Sequence, residues 1–240
     1  MNVKITLSYD GSTYQGSQRQ PNKCSIEDKL LAAFSSLNIN SKIVFSGRTD
    51  KNVHATGQVF NIKIPLFWTN LEKLKISLNR NLPESIRVLT IVKVHDDFHA
   101  RFWAKKRVYR YIVSTNPITP FTAKYVTYVP CINEKLIKEA IKCFEGEHDF
   151  EFFHKRGSDK EYLRRIIYET KFYQYKDFYI FKFKANSYLR SQIRLMVGFL
   201  LKISSENLTI EDLKSQLKKH KYISKFPADG NGLYLAKVIY

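Results

Sequence analysis

The chain has 240 residues, 44% of them hydrophobic, enough to bury a sizeable core as one large or two small domains, which excludes a disordered polypeptide. Its 40 Lys and Arg against 22 Asp and Glu leave a formal charge of +18, spread along the sequence, which points to a polyanionic partner or to a merely lysine-rich, solvated surface. Cys24, Cys131 and Cys143 are odd in number and lack Cys-x-x-Cys spacing, so neither a disulfide framework nor a zinc knuckle is suggested; with no signal peptide or membrane span evident, the expected setting is soluble and cytoplasmic.

Val3, Ile5, Leu7 and Tyr9 alternate with Lys4, Thr6 and Ser8, a period of two that predicts a strand with one buried face. After the polar segment STYQGSQRQPN, Ser25 with Asp28 three residues on marks a capped helix whose apolar stripe is Ile26, Leu30, Ala33, Phe34 and Leu37. Ile43 to Phe45, and then Val59, Phe60 and Ile62, read as strands flanking a dense polar cluster, SGRTDKNVHATG, with Gly47 and Gly57 where the chain must turn. Arg48 and Asp50 are one residue apart and point the same way in an extended segment, so the guanidinium is expected to orient the carboxylate and keep it ionised. Spacing alone leaves open a nucleophile or an ordinary loop ion pair. Thr69 and Glu72 open a short helix with Leu71, Leu74 and Leu78, closed before Pro83, and Arg87 to Val94 reads as a strand.

The aromatic and basic segment HDDFHARFWAKKRVYRYIV runs into a strand from Arg107 to Val113, with Tyr109, Tyr111 and Val113 on one face. Three prolines, Pro117, Pro120 and Pro130, punctuate the connection to a helix that starts at Asn133. The stretch HKRGSDKEYLRR, residues 154–165, reads as a mobile basic loop, followed by strands at Ile166 to Tyr175 and Phe178 to Lys184. Arg190 to Ile203 is helical by pattern, with Ile193, Met196, Val197, Leu200 and Leu201 toward the core and Arg190 and Arg194 one turn apart, as an anion site or a solvated stripe. A capped helix from Thr209 to His220 and a terminal strand close the chain. With the boundary placed near residue 106, residues 1–106 and 107–240 each carry strands bracketing an amphipathic helix, an α+β class built from two similar α/β subdomains with antiparallel or mixed sheets.

The segment SGRTDKNVHATGQV resembles the signature loop of the A-type tRNA pseudouridine synthases, usually Gly-Arg-Thr-Asp, two small residues, then Val-His-Ala. The resemblance implies that Asp50 is the catalytic nucleophile and Arg48 its orienting partner. Lys51 and Asn52 stand where the family commonly has Ala and Gly; Lys51 adds a charge suited to a phosphate, and Asn is the residue after Gly most tolerant of positive φ. YDGSTYQGSQRQPN is similar to the family's first motif, with Ser17 in place of a Trp and Arg19 as the implied RNA contact. Tyr-Arg-Tyr places the base-contacting ring at Tyr109, and KANSYLRSQIRLMVGFL carries the active-site Arg to Arg194, with Arg190 as a further RNA contact.

The resemblance covers nearly the whole chain and implies a central basic cleft, a homodimer, no cofactor and no metal, with tRNA as substrate. The implied reaction converts uridine to pseudouridine on the 3′ side of the anticodon stem-loop, the nucleotide being flipped out of its helix or loop. Attack by Asp50 at C1′ of the sugar or at C6 of the base both remain open. A metal-dependent nuclease using His95, Asp96, Asp97 and His99 is disfavoured, because the segment reads as a loop and no Glu completes a zinc-protease pattern. A non-catalytic structured-RNA-binding protein accounts for charge and for 14% aromatic residues, but gives no reason for an Arg-paired Asp on a strand-braced loop.

Overall fold

The computed structural model describes residues 1–155, 157 and 162–240, so residues 156 and 158–161 of the expected basic loop at 154–165 lie outside the described residues. The chain divides into two α+β units, Met1–Lys105 with Tyr234–Tyr240, and Lys106–Leu233.

In the first unit β1 (Asn2–Tyr9) alternates as its sequence predicts: Val3, Ile5 and Leu7 are fully buried. Along one edge it pairs antiparallel with β3 (His54–Lys63), Ile5 opposite Phe60, and along the other with β4 (Ile86–Lys93), Ile5 opposite Ile91. The short β2 (Val44–Phe45) also pairs with β3. Helix α1 (Ile26–Ser35) begins with the expected capping box: Ser25 Oγ accepts from the Asp28 N–H at 3.2 Å, and the Asp28 carboxylate accepts from the Ser25 N–H at 3.1 Å. Such a cap contributes about 1 kcal/mol. Its stripe packs inward, Phe34 meeting Phe60 edge-on at 6.0 Å. Helix α2 (Leu71–Asn81) buries Leu74 and Leu78, but its cap is Asn70 rather than Thr69: the Lys73 N–H donates to Asn70 Oδ1 at 2.8 Å, and Asn is the stronger capping residue.

In the second unit β5 (Lys106–Ser114) carries the two-residue β6 (Thr127–Tyr128) in parallel. Helix α3 (Glu134–Ala140), capped by Asn133, runs into a 3₁₀ turn and then β7 (Gly146–Asp149), a strand the periodicity did not announce. The strands β8 (Arg164–Tyr175) and β9 (Phe178–Ala185) form a long hairpin, and the unit's sheet runs in the order β5, β9, β8, β7, all antiparallel. Helix α4 (Gln192–Ser204) starts two residues later than its pattern suggests, because Ser191 adopts φ +57° and cannot be part of it. Arg190 therefore lies before the helix, and the expected helical face shared by Arg190 and Arg194 does not form. Ile193, Met196, Val197 and Leu200 are buried as expected, whereas Leu201 is only partly covered and Phe199, outside the expected stripe, is fully buried. Helix α5 (Ile210–Leu217) has a capping box made by Thr209 and Asp212.

Strand β10 (Leu233–Ile239) enters the first unit beside β3, in parallel, with Tyr234 opposite His54 and Leu235 opposite Ala55. Gly57 makes this possible: a Cβ there would lie 2.4 Å from the Ala236 carbonyl oxygen. In the turn before β3, Asn52 sits at φ +64°, the conformation for which the sequence's Asn was expected to serve.

Two outcomes follow. Asn52→Gly retains the parent's stability within a few tenths of a kcal/mol, whereas Asn52→Val, whose branched Cβ opposes positive φ, lowers it by roughly 1–3 kcal/mol in denaturant titrations; equal stability of the two variants contradicts this. In the second unit Glu169 accepts from Lys182 at 2.9 Å and meets Lys171 and Lys184 at 3.2 and 3.4 Å, and the Lys182 hydrogen bond chiefly holds its carboxyl down to about 2. A depressed carboxyl stabilises the fold above its ordinary value of 4.5, and that contribution is lost as pH falls through about 2. Glu169→Gln is expected to cost about 1 kcal/mol at neutral pH, since the cluster is wetted, and the gap in melting temperature should close with acidification; a gap independent of pH rules out this origin.

Candidate active site

The polar loop expected to carry chemistry spans the turn from β2 into β3, and its base is fixed by a buried glutamine. Gln58, fully buried on β3, accepts through Oε1 from Ser46 Oγ at 2.8 Å and donates through Nε2 to the Gly47 carbonyl at 3.0 Å. The Ser46 N–H continues the ladder by donating to the Val59 carbonyl at 2.8 Å. Neither partner would be left buried without a bond, which fixes the loop's departure angle from the sheet. A lone polar residue between Gly57 and Val59 in a strand was the available signal for Gln58, and periodicity alone gave it no role.

Thr49, immediately before Asp50, is held at its amide, its carbonyl and its hydroxyl. Its N–H donates to Ser17 Oγ at 2.9 Å, its carbonyl accepts from the Ser17 N–H at 3.1 Å, and its hydroxyl lies 2.7 Å from the Tyr9 hydroxyl. Burial pushes the Tyr9 phenol up to about 12, so it stays neutral across the working pH range. After Asp50, its own carbonyl accepts from the Val53 N–H at 3.2 Å across the turn that contains Asn52. Asp50 itself is half-buried, and its flanking charges, Arg48 and Lys51, are exposed.

His54 is buried at the start of β3 and braces the next loop. Its Nδ1 accepts from the Gly11 N–H at 3.0 Å and lies 3.2 Å from an Asp10 carboxylate oxygen, while its ring stacks on Tyr234 at 4.8 Å. A Cβ on Gly11 would fall 2.0 Å from the Val53 carbonyl oxygen, so the two loops touch backbone to backbone. Arg19 follows in the same loop as Ser17; it is exposed, with its Nε 3.6 Å from Asp28.

In the second unit Tyr109 lies on β5 opposite Phe183, 8% exposed, with its ring edge-on to Tyr188 at 5.2 Å. The Tyr188 hydroxyl is buried without a hydrogen-bond partner among the described residues, and burial pushes it well above the ordinary phenol range. Arg194, on the first turn of α4, is oriented by the backbone of residue 228: its Nε donates to the Ala228 carbonyl at 2.7 Å while the Ala228 N–H donates to the Arg194 carbonyl at 2.8 Å. Close approach of that segment requires Gly198, where a Cβ would lie 2.4 Å from the Phe226 carbonyl oxygen. Arg190 is exposed, its carbonyl accepting from the Lys155 N–H at 3.0 Å.

The histidines offered as nuclease ligands are otherwise engaged. His95 pairs with Asp97 through Nδ1, and His99 Nδ1 accepts from the N–H groups of Arg101 and Phe102 at 3.2 and 3.3 Å. Among the described residues no group of three or more His, Cys, Asp or Glu is arranged to hold a metal ion, and no helix is long and apolar enough to cross a membrane.

Arg48, Asp50 and Lys51 thus share one strand-braced loop, clamped to the loop that bears Arg19, while Tyr109, Arg190 and Arg194 belong to the second unit. The profile of a family described as tRNA pseudouridine synthase matches residues 5–103 and 140–240. The chain is 42% identical over 240 residues to tRNA pseudouridine synthase A of Campylobacter jejuni subsp. jejuni serotype O:6, covering 100% of both chains. It is 38% identical over 232 residues to the protein of that name from Wolinella succinogenes, covering 97% of this chain and 92% of the other, and 36% identical over 242 residues to that of Helicobacter pylori strain P12, covering 99% and 98%. With Gly-Arg-Thr-Asp placed on the loop between β2 and β3 and the family profile matching both units, the chain belongs to the tRNA pseudouridine synthase family.

Proposed function

We propose that the protein isomerises uridine to pseudouridine in tRNA, with Asp50 as the nucleophile. The observation that carries the reading is the position of Asp50: a carboxylate on the family's signature loop, with the preceding residue fixed at amide, carbonyl and hydroxyl. In the reaction the N1–C1′ bond breaks, the base turns, and a C5–C1′ bond forms; the proton leaves C5 and N1 ends protonated, so mass is unchanged and no redox partner is needed. Asp50 takes part by adding to C1′ or to C6 and departing again, which requires it ionised.

The other roles rest on the motifs. Tyr109 stacks on the base and assists proton removal from C5; its neighbour Tyr188 keeps the ring on edge and in place. Arg194, with its Nε already held by Ala228, presents the rest of its guanidinium to an anion and keeps the nucleophile ionised. Arg48 joins that task when substrate is bound. Lys51, Arg19 and Arg190, all exposed, meet phosphates and draw the RNA in. The target uridines lie on the 3′ side of the anticodon stem-loop, the enzyme works as a homodimer in the cytoplasm, and the cost of flipping the base, about a few kcal/mol, is offset by backbone contacts.

Asp50→Asn keeps volume and hydrogen-bonding reach but removes charge and nucleophilicity. Pseudouridine formation in unmodified tRNA should fall to background while the melting temperature and tRNA affinity are retained, as read by isomerisation assay and filter binding on one preparation. Isomerisation near the parent rate disproves the nucleophile assignment. Binding should also depend steeply on salt: roughly five phosphate contacts weaken affinity by about two to three orders of magnitude over a fourfold rise in salt. A flat titration is incompatible with phosphate-led binding by these exposed cations.

A further inference from the structure

Ser17 occupies a position at which the family resemblance leads one to expect a tryptophan, yet it is fully buried and each of its polar groups is used. Its hydroxyl accepts from the Thr49 N–H and its own N–H donates to the Thr49 carbonyl, a reciprocal pair at 2.9 and 3.1 Å. Its carbonyl accepts from the Glu27 N–H at 3.1 Å, and the Gly16 carbonyl from the Ile26 N–H at 3.2 Å, so residues 16 and 17 satisfy donors in the first turn of α1 that the helix leaves unpaired. Gly16 is at φ +101°, and a Cβ there would lie 2.7 Å from the Thr49 carbonyl oxygen. The chain from α1 through Ser17 to Thr49 is therefore a continuous, bonded path that ends one peptide before Asp50. Tyr9, at the end of β1, ties the Thr49 side chain independently at 2.7 Å.

We propose that Ser17 is a positioning residue for the reaction: through Thr49 it fixes the peptide plane from which the Asp50 side chain departs, and so sets the carboxylate's approach to the reacting carbon. The inference rests on Asp50 being the nucleophile. The plane of the Thr49–Asp50 peptide is defined at its oxygen by the Ser17 N–H, and the preceding peptide at its nitrogen by the Ser17 hydroxyl. With both planes held, Asp50 places its carboxylate by rotation of its own side chain. Removing the hydroxyl leaves the Thr49 N–H buried and unpaired, and that N–H will turn to find water or another acceptor. The turn is transmitted to Asp50 because the next bond belongs to the same backbone. Displacements of about 1 Å at a reacting group cost about a hundredfold in rate.

The test compares Ser17→Ala, Ser17→Thr, Tyr9→Phe and Asp50→Asn in the full-length protein by single-turnover isomerisation at saturating tRNA, with filter-binding affinity and melting temperature measured alongside. Ser17→Ala should lower the single-turnover rate by about ten- to a hundredfold with tRNA affinity unchanged within twofold. Ser17→Thr keeps the hydroxyl and should restore most of the rate, which a purely structural role would not single out. Tyr9→Phe loses one hydroxyl at constant ring volume and should slow the same step; because both ties meet at Thr49, its effect and that of Ser17→Ala should not be additive. Parent-like rates in both Ser17→Ala and Tyr9→Phe, with Asp50→Asn inactive, overturn the positioning role and leave the nucleophile intact. A loss in Ser17→Ala that appears in affinity with the saturated rate unchanged also overturns it. Should Ser17→Ala fail to fold, Tyr9→Phe decides alone: slowing at unchanged affinity supports the clamp, and a parent rate refutes it. Activity in Asp50→Asn would defeat the functional reading itself, separately from the clamp.

Discussion

Strand β3 is the element on which the first unit depends, because its backbone is paired along both edges and its two ends serve different partners. One edge belongs to β1 throughout; the other is divided, with β2 against residues 60 and 61 and β10 against residues 54 and 55. That division requires a neighbour within reach of the bare backbone at Gly57, where the Ala236 carbonyl oxygen occupies the space a side chain would need. The loop between β2 and β3 is consequently anchored at both ends to the same strand. Anchoring the loop that carries Asp50 constrains the sequence at Gly57, Gln58 and Ser46, and none of those residues carries a charge.

The groups that anchor the loop carrying Asp50 are neutral. Tyr9, Ser17 and Thr49 hold the backbone through hydroxyls and amides, and the Tyr9 phenol, pushed up to about 12 by burial, has no charged form in the physiological range. Charges on the same loop, Arg48 and Lys51, are exposed, where they add long-range attraction for a polyanion without a desolvation cost.

The acidic residues are also deployed locally. Asp28 and Asp212 close capping boxes, Glu169 is ringed by Lys171, Lys182 and Lys184, and Asp149 and Glu151 pair with Lys219. Each of these carboxylates is tied to a structural task beside a cation or a helix N-terminus, which keeps the excess positive charge uncompensated elsewhere on the surface. The net charge of +18 is thus compatible with a stable fold.

The sequence by itself determined the α+β class, the alternation of β1, the capped starts of α1 and α5, the strands β8 and β9, and the choice of Asn52 for a left-handed turn, since each is written in neighbouring residues and obeys a local period or a capping rule. Spacing alone left Asp50 open between a nucleophile and a loop ion pair, and the resemblance of the motif around it singled it out. Only the tertiary structure decided that Ser17 grips Thr49, that Tyr9 meets the same residue, that Gln58 props the loop and that β10 lies beside β3, because these partners are tens of residues apart and hydrogen bonding has no sequence period. The start of α4 was decided there as well. Ser191 has ordinary helix-compatible chemistry, and its left-handed backbone is imposed by the segment around it: the Gln192 side chain accepts from the Leu189 N–H, and the Lys155 N–H donates to the Arg190 carbonyl. Local spacing states which side chains are near one another along the chain, whereas the direction each one takes is set by the packing of the backbone that carries it.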